Sequence, residues 1–137
     1  MRRRVLAYVA RSRNGRTELL VFDHRDDPSA GTQVPAGRVD PDETLEQGVL
    51  RELHEEAGLD RARIVRELPI LGDWLETAPH ENHAFEVRLE QEAPDTWEHL
   101  VAGNGEDAGM VFVYRWVPLD SNPRLWGGTD PTYTQLR

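Results

Sequence analysis

The stretch from Asp40 to Gly58 limits the fold more than any other part of the chain. Asp40-Pro41-Asp42-Glu43 supplies an acceptor side chain, a proline suited to a first helical position and a glutamate three residues on. Together these predict a helix start closed by a capping box. Gly58 stands where a C-terminal glycine stop belongs. No proline interrupts the segment between them, and its one internal glycine, Gly48, costs about 1 kcal/mol relative to alanine. This is the clearest helix in the chain.

Around it the pattern is that of strands. Arg3 to Ala10 and Thr17 to Asp23 are rich in apolar and β-branched residues, and the Asn14-Gly15 pair between them predicts a tight hairpin. Thr32 to Pro35 reads as a short strand stopped by Ala36-Gly37, and Ile64 to Leu71, His83 to Leu89 and Met110 to Val117 read as three more. Ala93 to Gly109 reads as a long irregular stretch, and the tail from Asp120 to Arg137 shows no helical period. Three strands, one helix and three strands predict an α+β architecture rather than regular βαβ alternation. With 137 residues, the expectation is one domain over residues 1–137.

Composition narrows the function. Hydrophobic residues make up 38% and charged residues 30%, which is ordinary for a globular chain. No window approaches the roughly 18 consecutive apolar residues of a membrane span. The apolar run after Arg2-Arg3-Arg4 ends at Arg11, too short for the core of a signal peptide, so a cytoplasmic location is expected. The absence of cysteine excludes disulfides and thiolate metal sites, leaving oxygen or histidine as metal ligands. The net charge of −9 argues against nucleic acid or an anionic membrane as partner. All 16 basic residues are arginine, so no lysine is available as a phosphate clamp. An acidic protein that handles phosphates would need a cation as mediator.

On a helical wheel, Val49, Leu50, Leu53 and Ala57 form a core-facing stripe, and Glu52, Glu55 and Glu56 lie opposite. The three acids are mutual neighbours at i, i+3 and i+4, a spacing that destabilises an isolated helix by about 0.2–0.5 kcal/mol per pair. They also sit near the negative end of the helix dipole, where acids are disfavoured. Their convergence suits a hard divalent cation, Mg²⁺ or Mn²⁺, which takes oxygen ligands. Arg51 could hold such carboxylates by bidentate hydrogen bonds, and Gly37 lets backbone approach a ligand closely.

Gly37, Glu43 and the run Arg51-Glu52-Leu53-His54-Glu55-Glu56-Ala57-Gly58-Leu59 match G-x5-E-x7-R-E-U-x-E-E-x-G-U, with U apolar, at all nine specified positions. The chance of such a match at these residue frequencies is below about one in a million. This segment resembles the Nudix box, and the Val-Pro-Ala-Gly strand end before it and Tyr114-Arg115-Trp116-Val117-Pro118-Leu119 are also similar to that family.

The resemblance implies an αβα sandwich around a mixed sheet, although the tail lacks the usual C-terminal helix and leaves the second outer layer open. It implies hydrolysis of a nucleoside diphosphate linked to another moiety X, or of a related organic diphosphate. Glu52, Glu55 and Glu56 would bind Mg²⁺ or Mn²⁺ with help from a backbone carbonyl near Gly37, and Glu43 and Arg51 would orient them. Glu55 or Glu56 would take the proton of the attacking water, unless Glu98, Glu106 or Asp107 of the irregular stretch does so. Arg38 and Arg25, with Glu98 and Glu106, are candidates for substrate contact. Two other readings are a non-catalytic nucleotide-binding or regulatory module and a 5′-triphosphate RNA pyrophosphohydrolase. Pairing of two copies through strands, as a homodimer, is compatible with the pattern.

His80 and His83 lack a third ligand nearby and read as ordinary histidines, as does His54. Trp116 is expected in the core, and Trp74, Trp97, Tyr8 and Phe22 pack more readily than they stack on a base. The stretch Trp74-Leu75-Glu76-Thr77 carries neither the proline nor the tyrosine that marks some substrate subclasses of the family.

Overall fold

A computed structural model describes residues 2–75 and 80–136, with the backbone alone at His80. The long runs of β-branched and aromatic residues form strands: β1 (Arg2–Arg13), β2 (Arg16–His24), β3 (Ala36–Arg38), β4 (Ala62–Leu68), β5 (His80–Leu89), β6 (Thr96–Leu100) and β7 (Val111–Pro118). The one α-helix among the described residues is α1 (Leu45–Ala57). The strands make one mixed sheet in the order β4-β5-β1-β2-β7-β6, with β3 paired to the first half of β1. The β1–β5 pairing is parallel and the others are antiparallel. The predicted hairpin is present, with Asn14 and Gly15 both at positive φ between Arg13 and Arg16.

Val5 to Ala10 is buried without a break because both faces of β1 are covered. Val5, Ala7 and Val9 face α1 and pack with Val49, Leu53, Phe85 and Tyr114. Leu6, Tyr8 and Ala10 face the other way and pack with Val34, Leu68, Leu125 and Leu136. Much of the cover on that side is the tail, folded as three short 3-10 turns over Leu119–Ser121, Trp126–Gly128 and Thr132–Gln135. A segment without helical period therefore covers the sheet through a few anchors, with Leu125 fully buried. The α+β class and mixed sheet stand as expected. Where an αβα sandwich has a second outer helix, this chain has irregular turns. No described helix is long and apolar enough to cross a membrane.

The tail is pinned by a buried polar pair. Tyr8 donates its hydroxyl to Asp130 Oδ2 at 2.6 Å, and Asp130 Oδ1 accepts from Thr132 N at 2.9 Å. Burial raises the Asp130 pKa despite these bonds. The folded state then holds the proton more tightly than the unfolded chain, so this group's contribution to stability falls as pH rises through the raised pKa. Asp130→Asn keeps a partner for both neighbours without a charge. It is expected to gain stability relative to wild type between about pH 4 and pH 7. Urea unfolding of both proteins at the two ends of that range checks this, and a constant difference would contradict it.

Three expectations need correction. The helix starts at Leu45, not beside Asp40: Thr44 is the N-cap and forms the capping box with Gln47. Asp40 to Glu43 instead forms a tight turn, in which Glu43 Oε1 accepts from Asp40 N at 2.9 Å. Thr32 and Gln33 make only isolated bridges, and the strand lies at Ala36–Arg38. The stretch expected to be irregular contains β6, in which half-buried Trp97 and His99 alternate with exposed Thr96, Glu98 and Leu100.

Candidate functional site

Box residues meet in a cleft of about 440 Å³ at the ends of β1 and β3, between α1 and the loop that joins β6 to β7. Its lining carries six acids, among them Glu52, Glu55, Glu56, Glu106 and Asp107, against Arg4, Arg38 and Arg51. The helix brings the acids there by a different rotation from the one its hydrophobic pattern predicts. Leu50, assigned to the core stripe, is 40% exposed, whereas Glu52 and Glu56 are only 9% and 4% exposed. The reason is Gly37. A Cβ at that position would overlap the Glu52 carboxylate, so only glycine lets the acid lie against β3.

Arg51 organises the cluster. Its Nε and Nη2 grip Glu43 at 2.8 and 2.9 Å, Nη1 donates to Glu52 at 3.0 Å and Glu55 at 3.2 Å, and Nη2 also reaches the Arg38 carbonyl at 2.7 Å. These bonds hold the Glu43 carboxyl below the usual carboxylate range and push the Arg51 guanidinium up. Glu43 itself stands behind the cleft and acts on it through Arg51. Glu56 Oε1 accepts from Ala36 N at 3.2 Å. Burial raises the pKa of Glu52, and raises that of Glu56 further with the charge of Glu52 beside it. Two buried acids that repel one another, with a single arginine as counter-charge, are costly unless a cation joins them. All donors are oxygens, as Mg²⁺ or Mn²⁺ requires. The carboxylates are not gathered at ligating distances as they stand, nor is any other trio of His, Asp or Glu among the described residues.

The remaining candidates divide cleanly. Arg38 lines the cleft and pairs across it with Glu106 at 2.8 Å. Arg25 and Glu98 do not line it; they pair with one another at 3.2 Å on the surface. Side chains alternate along β6, so Trp97 and His99 turn toward α1 and Glu98 turns away. His83 lies between Glu67 and Glu81 at 2.8 and 2.9 Å, away from the cleft, and the His80 side chain, Glu76 and Thr77 lie outside the described residues. Trp116 is buried as expected and donates to the Pro94 carbonyl. Two charged residues of the lining were not among the candidates: Arg4, in the arginine run that opens β1, and Asp40, expected as a helix cap.

The chain belongs to the family described as the NUDIX domain, whose model matches residues 1–136. An RNA pyrophosphohydrolase of Gluconacetobacter diazotrophicus is 42% identical over 69 residues, a match that takes in 45% of this chain and 40% of that relative's length. Among solved structures, an ADP-ribose pyrophosphatase from Streptococcus suis aligns with a TM-score of 0.61 at 23% identity, over 98% of this chain and 86% of that one. An Ap4A hydrolase from C. elegans aligns with a TM-score of 0.57 at 18% identity, over 88% of this chain and 82% of the other. At such identities the likeness is one of fold, and it agrees with the mixed sheet and single helix found here.

Proposed function

We propose that this chain is a divalent-metal-dependent pyrophosphohydrolase. It would cleave a nucleoside diphosphate linked to a moiety X, or a related organic diphosphate, into a monophosphate and phosphorylated X. The observation that carries this reading is the buried Glu52–Glu56 pair with Glu55 beside it, facing an open cleft. Glu52, Glu55 and Glu56 would hold Mg²⁺ or Mn²⁺, with the Gly37 carbonyl as a further ligand. A cation there supplies charge neutralisation of the diphosphate and acidification of the attacking water. Phosphoryl transfer asks little covalent chemistry of the protein, so the chain's own part is placement and charge. Arg38 and Arg4 are set to bind phosphate oxygens, and Glu55 or Glu56 to accept the proton of water. Glu106, tied to Arg38, and Asp107 are the loop acids that reach the same space.

Removal of 5′ diphosphate from RNA is the second reading, and the 42% identity to an RNA pyrophosphohydrolase favours it. The net charge of −9 weighs against a long nucleic-acid footprint. A hydrolysis screen over nucleotide sugars, dinucleoside polyphosphates, nucleoside triphosphates, dinucleotide cofactors and 5′-triphosphorylated RNA separates the readings. Turnover with Mg²⁺ that chelation abolishes is expected. Turnover that survives chelation contradicts the mechanism, and silence with tight metal-independent binding points to a binding module.

A further inference from the structure

The last four carbonyls of an α-helix have no intrahelical partner. In α1 Gly58 N takes that of His54, and the hairpin of β6 and β7 takes the other three. His99 Nε2 and Ala102 N both donate to the Glu55 carbonyl, at 3.0 and 2.9 Å. Tyr114 donates its hydroxyl to the Glu56 carbonyl at 2.9 Å, and Trp97 Nε1 donates to the Ala57 carbonyl at 3.0 Å. These donors face the negative end of the helix dipole, where the acids would otherwise be disfavoured. Glu55 is held most closely. Its carbonyl has two donors, and its carboxylate lies against Gly103, whose φ of +87° and missing Cβ permit the contact. The His99 ring fits against Gly58, where a Cβ would come within 3.0 Å of the imidazole.

We propose that His99 is a positioning residue: by holding the Glu55 carbonyl it sets the last turn of α1 so that the Glu55 carboxylate meets a divalent cation in the cleft. This rests on reading the cleft as a metal-bearing hydrolytic site. The segment that contains His99 runs directly into the cleft loop through Ala102 and Gly103, and that loop returns to β3 by the Glu106–Arg38 pair. One strand thus registers both the helical acids and the loop acids.

Mn²⁺ titration followed by electron paramagnetic resonance, with steady-state kinetics beside it, tests this on the full chain. His99→Phe is expected to weaken Mn²⁺ binding by about 10-fold and to lower kcat with little change in nucleotide KM. His99→Gln, whose amide nitrogen can reach the same carbonyl, is expected to restore both. In a Glu55→Gln background, changing His99 should alter Mn²⁺ affinity no further. If phenylalanine prevents folding, His99→Asn, too short to reach the carbonyl, takes its place. A folded variant without that donor but with wild-type Mn²⁺ affinity overturns the inference. Wild-type protein that binds no Mn²⁺ overturns it together with the site. Wild-type protein that binds Mn²⁺ and hydrolyses nothing sinks only the hydrolase reading, and the affinity comparison still decides the role of His99.

Discussion

Glu56→Gln is expected to lower kcat by about 10³-fold, within the range seen for loss of a general base, while leaving the protein folded. Without metal the variant should even be more stable than wild type, by about 1 kcal/mol. Both effects have one cause. Glu56 is buried beside Glu52, and burial with that neighbouring charge already holds its pKa well above the ordinary value. Glutamine has nearly the same shape and keeps an acceptor for Ala36 N, but it carries no charge to repel Glu52. Urea unfolding in the presence of a chelator, paired with turnover of the best substrate in Mg²⁺, measures the two quantities. Turnover within tenfold of wild type would remove Glu56 from the reaction. A marked loss of stability would make its carboxyl a structural group.

Arg51→Lys comes next in expected size. The guanidinium uses its fork twice, gripping both oxygens of Glu43 and spanning Glu52 and Glu55 with Nη1. An ammonium keeps the charge but cannot reproduce that planar set of donors. Loss of bonds to partly buried acids is expected to cost about 2 kcal/mol of stability and to lower kcat by 10–100-fold. KM should change less, because Arg51 aligns ligands and is itself held by protein groups. A thermal and kinetic comparison with wild type checks this. Wild-type kcat in the lysine variant would show that charge alone suffices at this position.

Much of this was legible in the sequence because short-range chemistry dictates it. Asn14-Gly15 permits little besides a tight hairpin, and Gly58 takes up φ +73° as a left-handed helix stop. The box spacing alone groups Glu43, Arg51 and the three acids. Rotation of the helix was not legible. A hydrophobic wheel assumes that acids face water, and α1 breaks that rule by burying Glu52 and Glu56 against Gly37 and Ala36. The N-cap lies at Thr44 rather than Asp40 because Glu43 bonds back to Asp40 N, as one half of a capping box would, while Glu43 N donates to the Asp40 carbonyl and closes a turn ahead of the helix. Strand β6 was hidden because it is a short edge strand whose outward positions mix Thr96, Glu98 and exposed Leu100, so no clean alternation of apolar and polar residues marks it. With β6 went the role of His99. The tail layer could not be read either, since turns anchored by Leu125, Asp130 and Leu136 leave no period to detect.

The most direct test is diffraction from a crystal soaked in Mn²⁺ with a methylene-bridged, non-hydrolysable dinucleoside diphosphate, read at the manganese absorption edge. The expected result is an anomalous peak in the cleft, within about 2–2.5 Å of carboxylate oxygens from Glu52, Glu55 and Glu56, with the bridged phosphates alongside. A peak bound elsewhere on the chain, or no peak beside an ordered ligand with those carboxylates still on Arg51 and Ala36, would contradict it.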